Sequence, residues 1–355
     1  MVQLFGQEFT RSDLLQRIGD ISQIAGVRTM RLEGGREAGV QLIQVRTGSG
    51  FQFNILPSRG LDVSFAEYKG IPLCWRSCTG DVSPAFYEPE GDGWHRGFYG
   101  GMVITCGLSN VGAPCIDQDE ELGRHGRISA TPAESVYADG RWENDEYRLV
   151  IQGRMRQATF WGENLTMTRR IHSRLGASWF RIQDEVENQG FSPAPLMFLY
   201  HVNIGFPLVS EEGTILIPSK KTVAMDSSVD PASFNKLHAP LPEAPSQVFY
   251  HEAASDADGI VTAALINEKL PLGMYIRYSK DQLKNLVQWK MLGQGDYVLG
   301  IEPANCHVEG RAVERGKGTL EFLQPGAKRQ FHLELGVLVS EAEFRECRAS
   351  IERLG

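Results

Sequence analysis

The apolar positions of this chain change period early. Between Thr10 and Ala25 they recur at helical spacing, with Leu14, Leu15, Ile18 and Ile21 on one side. Thr10, Ser12 or Asp13 is available as a cap, so the spacing predicts a short amphipathic helix over about 10–25. Beyond it the period shortens. Residues 40–45 alternate weakly and residues 51–56 alternate cleanly, with Gly48-Ser49-Gly50 between them as a hairpin connection. Further strand-like runs continue from 102–105 to 328–337, among them 148–156, 165–172, 179–187, 195–202, 286–291 and 297–302. Turn residues punctuate nearly all of them, and Val186-Glu187-Asn188-Gln189-Gly190 reads as a hairpin turn. Many short strands and few helices predict an all-β fold, a large antiparallel sandwich or barrel.

Three stretches depart from this pattern. Residues 75–101 are rich in Gly, Pro and aromatic side chains, notably Trp75, Trp94, Phe98 and Tyr99, and predict a long ordered loop of the functional kind. Residues 226–248 read as a surface excursion, and Glu341 to Leu354 as a surface helix with Phe344, Cys347 and Ile351 on one face. Neither a linker nor an internal repeat divides the chain, so a single domain over 1–355 is expected.

Charge and cysteine usage narrow the function classes. The chain carries 36 Lys+Arg against 44 Asp+Glu, a net −8, which argues against a nucleic-acid or anionic-membrane surface. Six cysteines (Cys74, Cys78, Cys106, Cys115, Cys306 and Cys347) form no C-x-x-C pair and no zinc pattern, and read as mostly buried free thiols. No secretory leader and no apolar run of membrane-spanning length is visible, so a cytoplasmic location with reduced thiols is expected.

Four constellations carry candidate chemistry. In Pro57-Ser58-Arg59-Gly60-Leu61-Asp62 an arginine follows a clean strand, and an Arg59–Asp62 turn pair is an equally good local reading. In Gly123-Arg124-His125-Gly126-Arg127 glycines flank a histidine and let a ligand approach closely, although the same run fits a solvated basic loop. In Tyr200-His201-Val202-Asn203 alternation puts His201 and Asn203 on one face, either as reactive groups or as satisfied core polars. Finally, Glu302 ends an apolar strand, where a carboxylate is costly unless it is used or paired, with Asn305 and His307 close behind. Trp289, in the strand before it, offers an aromatic face on which a sugar ring can stack, or belongs to the core. A carboxylate and an imidazole on separate buried strands are a minimal kit for moving protons on a bound substrate.

Taken in order, Arg59-Gly-x-Asp, His125-Gly, His201 and late Glu302 resemble the aldose 1-epimerase (galactose mutarotase) family, over about Gln41 to Val337. Pro-Ser-Arg-Gly-Leu-Asp stands where that family has an Asn-Arg pair, and Tyr-His-Val-Asn-Ile-Gly where it has His-Pro-Tyr-Phe-Asn. With the 75–101 insert, these departures resemble an uncharacterised, DUF4432-like branch of the superfamily. The resemblance implies a galactose mutarotase-like β-sandwich that interconverts α and β anomers of an aldose by acid/base ring opening, without metal or cofactor. It implies Glu302 as base and His201 as acid, each held charged by the other. Arg59, His125, Arg127, Asn203, Trp289 and Asn305 are the substrate-binding candidates, and Asp226 stands in for the family's substrate-binding aspartate. Two arginines would also suit an anionic sugar. The expected partner is a small-molecule sugar, not nucleic acid or membrane, and the edges of so large a sandwich leave room for a homodimer. Two other classes stay open: a non-catalytic carbohydrate-binding module, and a metal-dependent sugar isomerase using His125, His201, Glu302 and His307.

Overall fold

In the computed structural model, which describes all 355 residues, three antiparallel sheets carry the chain. The largest has eight strands in the order Glu134–Glu143, Glu146–Ala158, Asn164–Arg174, Trp179–Asn188, Lys328–Leu338, Leu272–Ser279, Ile260–Asn267 and Gly213–Leu216. The second has six: Ser219–Ala224, Gln247–Ala253, Asn285–Leu292, Tyr297–Ala304, Met197–Gly205 and Ile104–Leu108. The third runs through Gly26–Arg31, Gln41–Arg46, Phe51–Leu56, Asp62–Tyr68 and Ile71–Pro72. The predicted all-β sandwich is the observed architecture.

Period-2 alternation explains the packing. Along Met197–Gly205, Phe198, Tyr200, Val202 and Ile204 face the eight-stranded sheet and join its core, where Phe198 stacks on Phe331 at 4.2 Å. Phe53 of the third sheet meets Phe180 of the first at 4.7 Å, so all three sheets share one apolar interior. The opposite face of Met197–Gly205 carries Leu199, His201 and Asn203. Over that face lies a second apolar cluster containing Trp94, Phe98 and Tyr99 of the 75–101 segment, which has two short 3-10 turns and no strand. The catalytic candidates therefore lie between a sheet and a loop layer.

Several local expectations change. The N-terminal helix is only Arg11–Leu15, closed by a Thr10/Asp13 capping box. Gly19 and Asp20 interrupt the pattern, and Asp20 caps a separate 3-10 turn at Ile21–Gln23. The 186–190 turn is not a hairpin. Strand Trp179–Asn188 pairs with Asn164–Arg174 and Lys328–Leu338, and the chain then crosses to the other sheet. Asn188 pins that crossing through Gly190 N, Ser192 O and Leu323 O. The 226–248 excursion is fastened from below, since Lys290 Nζ donates to Ser233 O at 2.6 Å and to Lys236 O at 3.1 Å. The C-terminal helix, Glu341–Glu352, is capped by Ser340 and buries Phe344, Cys347 and Ile351 as expected. Cys74, Cys106, Cys306 and Cys347 are buried, Cys78 is exposed, and all six thiols are free. No helix is long and apolar enough to cross a membrane.

Candidate functional site

Adjacent strands bring His201 and Glu302 together. The ladder pairs Val202 with Ile301 and Asn203 with Gly300, so the same register sets His201 beside Glu302. His201 Nε2 lies 3.3 Å from Glu302 Oε1, and both side chains are almost wholly buried. The contact has ion-pair distance but not hydrogen-bond alignment, and Glu302 Oε1, His201 Nδ1 and the neighbouring Asn203 Oδ1 all lack a partner. Buried polar atoms are usually paired, and these three unpaired ones lie close together on two adjacent strands.

Burial sets the electrostatics. It pushes the His201 imidazole down to about 3, only partly offset by Asn203, and raises the Glu302 carboxyl well above the usual carboxylate range. In both groups burial favours the uncharged form. Burial thus works against the charged pair that was expected, because removing either group from water disfavours its ionised form. The pair holds one proton in either form.

His125 reaches the same place from the loop layer. Its backbone takes a left-handed turn at φ 56°, and its ring lies 5.7 Å from that of His201 and 4.5 Å from Trp94. The turn needs Gly126 next to it, because a Cβ there would sit 2.3 Å from Gly107 O. Gly112 N donates to His125 Nδ1 at 3.2 Å, which assigns the neutral ring with its proton on Nε2. Burial also pushes this imidazole well below its ordinary value. His125 is thus a fixed N–H donor.

Aromatic rings wall the pair. Phe98 lies 5.2 Å and Trp289 5.4 Å from the His201 ring, and Trp75 meets Trp289 edge-on at 6.3 Å. Ser246 Oγ accepts from Trp289 Nε1 at 2.8 Å, and Gly295 O accepts from Trp75 Nε1 at 3.1 Å. Between Trp289 and Glu302 the strand carries Gly300, where a Cβ would lie 3.0 Å from Trp289 Cβ and 2.4 Å from Glu302 Oε1. That glycine keeps a cradle open beside the carboxyl.

The remaining candidates sit elsewhere. Arg59 is buried and donates to Ser129 O, Val82 O and Gly97 O at 2.6, 2.6 and 3.0 Å, so its guanidinium staples the 75–101 segment to the 128–130 turn. Asp62 does not pair with Arg59. It accepts from Arg169 Nη1 at 2.6 Å and from Thr105 Oγ1 at 2.6 Å. Asn305 closes a backbone connection, accepting from Phe198 N and donating to Leu196 O. Arg127 is exposed on the loop after His125, and Asp226 caps Ser228 N in an exposed turn. His307 stacks on Tyr250 at 4.1 Å, and no three His, Cys, Asp or Glu side chains converge as a metal-holding group. Gly300 has no candidate role in the sequence pattern, and Trp94 and Phe98 stand out there only as aromatics of the 75–101 loop. A glycine inside an otherwise apolar strand was the available signal for the first, and the aromatic density of 75–101 for the others.

A family profile described as a domain of unknown function, DUF4432, matches residues 37–337. Among solved structures, a protein from Klebsiella pneumoniae provisionally named an aldose 1-epimerase superposes with a TM-score of 0.89 at 24% identity, covering 98% of this chain and 91% of that one. A galactose mutarotase-like protein from Clostridium acetobutylicum gives 0.60 at 14% identity over 88% and 98% of the two chains. A galactose 1-epimerase from Lactobacillus acidophilus gives 0.57 at 13% over the same shares. At these identities the likeness is one of fold. No curated protein matches the sequence.

Proposed function

The chain belongs to the DUF4432 family, and on that footing we propose that it is an aldose 1-epimerase-type isomerase acting on a small sugar. The observation that carries this reading is the buried His201–Glu302 contact of 3.3 Å, with an unpaired atom on each residue, inside an aromatic enclosure. A pure binding site has no use for two titratable groups sharing one proton, whereas ring opening needs both.

In this mechanism the sugar's hydroxyls pair with the otherwise unpartnered polar atoms of Glu302, His201 and Asn203. The proton on Glu302 passes to His201, leaving a carboxylate and an imidazolium. Glu302 takes the proton of the anomeric hydroxyl while His201 protonates the ring oxygen, and the bond from that oxygen to the anomeric carbon opens. The aldehyde turns about its adjoining carbon–carbon bond, and the same transfers in reverse close the ring on the other face. His125 donates Nε2–H to a sugar oxygen, Asn203 binds a hydroxyl through its free amide oxygen, and Trp289 packs against the ring's C–H face. Arg59 and Asn305 act by holding the loop and strand in place. With the Arg59 guanidinium committed to backbone carbonyls, a neutral aldose fits this interior better than an anionic one.

The test is anomer-exchange NMR on a panel of neutral, amino and acidic sugars. Wild type is expected to accelerate α/β exchange on one class. His201→Asn or Glu302→Gln should slow it by about 10²–10⁴-fold, the usual worth of one positioned acid or base. Full exchange in either folded variant removes the assignment. Saturable line broadening with no exchange moves the reading to a carbohydrate-binding module.

A further inference from the structure

At one end of the eight-stranded sheet, far from any stated need of the fold, three large aromatic rings stand in solvent. The turn between strands Glu146–Ala158 and Asn164–Arg174 presents Phe160 and Trp161, 87% and 91% exposed, with ring centroids 4.6 Å apart. The loop that leaves Trp179–Asn188 presents Phe191, 100% exposed. A groove of about 1110 Å³ runs between them, floored on one side by Pro193 and Pro195. Scattered apolar side chains on a surface need no explanation, but contiguous protruding rings beside a groove mark an interaction site.

We propose that this tip is a homodimer interface, in which the Phe160–Trp161 turn of each copy enters the groove of the other about a two-fold axis. Shape is the first reason. One patch offers both the knobs and a groove of a size to receive them, which is what a self-complementary contact requires. Charge is the second. Arg156 bonds only the neutral acceptors Asn164 Oδ1 at 2.9 Å and Gln189 Oε1 at 3.0 Å. Glu163 accepts only from Gln157 and Thr159. Arg311 and Glu120 of the groove pair with each other, so the patch carries one cation and one anion without an ionic partner, and a two-fold axis lets Arg156 of one copy meet Glu163 of the other, twice. Area is the third reason. Aromatic side chains bring roughly 150–250 Å² each into a contact, so three of them supply a large part of the ~800 Å² that each partner of a standard interface buries. An anionic lipid surface is the poorer fit, because the patch has no excess of positive charge and the chain as a whole carries −8.

Sedimentation equilibrium on the full chain tests this, read with the melting temperature. Wild type is expected at twice the 39.5 kDa chain mass. The triple variant Phe160→Ser, Trp161→Ser, Phe191→Ser is expected at the single chain mass, with native far-UV circular dichroism and a melting temperature that no longer rises with protein concentration as the wild type's does. Arg156→Glu and Glu163→Arg should each weaken the dimer, and the two together should restore it. A wild type that sediments as one chain at every concentration overturns the proposal, as does a dimer that survives loss of the three rings. A double charge variant no tighter than the singles overturns the two-fold arrangement. Monomeric wild type that floats with neutral phosphatidylcholine vesicles assigns the rings to lipid instead.

Discussion

Burial favours the protonated form of Glu302 in the fold, whereas in the unfolded chain its carboxyl ionises above about 4.5. Its contribution to stability is therefore full at low pH and declines as pH rises toward the folded value. His201 works in the opposite sense. Its neutral form is preserved in the fold down to about 3, so its contribution is full above the ordinary value of 6.5 and is lost as pH falls from there. Glu302→Gln, which removes the titration but keeps the shape, should raise the melting temperature in alkaline buffer, with the gain vanishing below the unfolded carboxyl value. Scanning calorimetry across pH checks this, and no pH dependence in the difference would contradict a protonated native carboxyl. Gly300 gives the second residue-scale prediction. An alanine in a strand usually costs nothing and often helps, but here its methyl displaces the Glu302 carboxyl. Gly300→Ala should fold normally and lose at least about 10-fold in kcat, on the footing that a misplaced group loses near-attack geometry. His201 and Glu302 were legible as residues because polar groups inside apolar runs stand out. The bias toward their uncharged forms was not, since it depends on how completely the loop layer removes water.

Among the elements, the 75–101 segment decides whether the sheet face is a site or bare surface. Most of its internal hydrogen bonds close short local turns, and Arg59 ties it at Val82 and Gly97 to the turn at Ser129. Arg59→Met should speed hydrogen exchange in 75–101 and leave the eight-stranded sheet unchanged, since local opening is governed by local ties. Exchange raised equally everywhere would instead mean that Arg59 supports the whole fold. The sequence exposed this loop through its composition, and most strands through their alternation. It hid the crossing at 189–194, because an Asn-x-Gly turn has the same local chemistry whether the chain returns beside its own strand or moves to another sheet. Only Asn188's bonds to Ser192 and Leu323 distinguish the two, and Leu323 is remote in sequence.

For the molecule as a whole, one buried ion cluster joins all three sheets. Arg169, fully buried, grips Asp184 through Nε at 2.8 Å and Nη2 at 2.7 Å, and binds Asp62 and Thr105. Tyr200, beside His201 but facing the other way, donates to Asp184 at 2.7 Å. Removing the cation strands two aspartates out of water, and breaking a buried pair in this way typically costs about 3–5 kcal/mol. Arg169→Leu should lower the urea midpoint by a corresponding amount. An unchanged midpoint would mean that water enters and solvates the cluster. The sequence did hold a clue, because Leu165, Met167, Arg169 and Ile171 share the inward parity of their strand. Its partners, however, come from elements more than a hundred residues upstream and fifteen downstream, which alternation does not report.

The shared proton of His201 and Glu302 also bears on the surrounding medium. Free sugars interconvert faster as buffer acids and bases become more concentrated, because they borrow protons from whatever is dissolved around them. A pair that ends each cycle holding the same proton with which it began imports none and exports none. Turnover should therefore be indifferent to the identity and concentration of the buffer at fixed pH, and a rate that climbs with phosphate or imidazole would reveal proton exchange between the pair and bulk water.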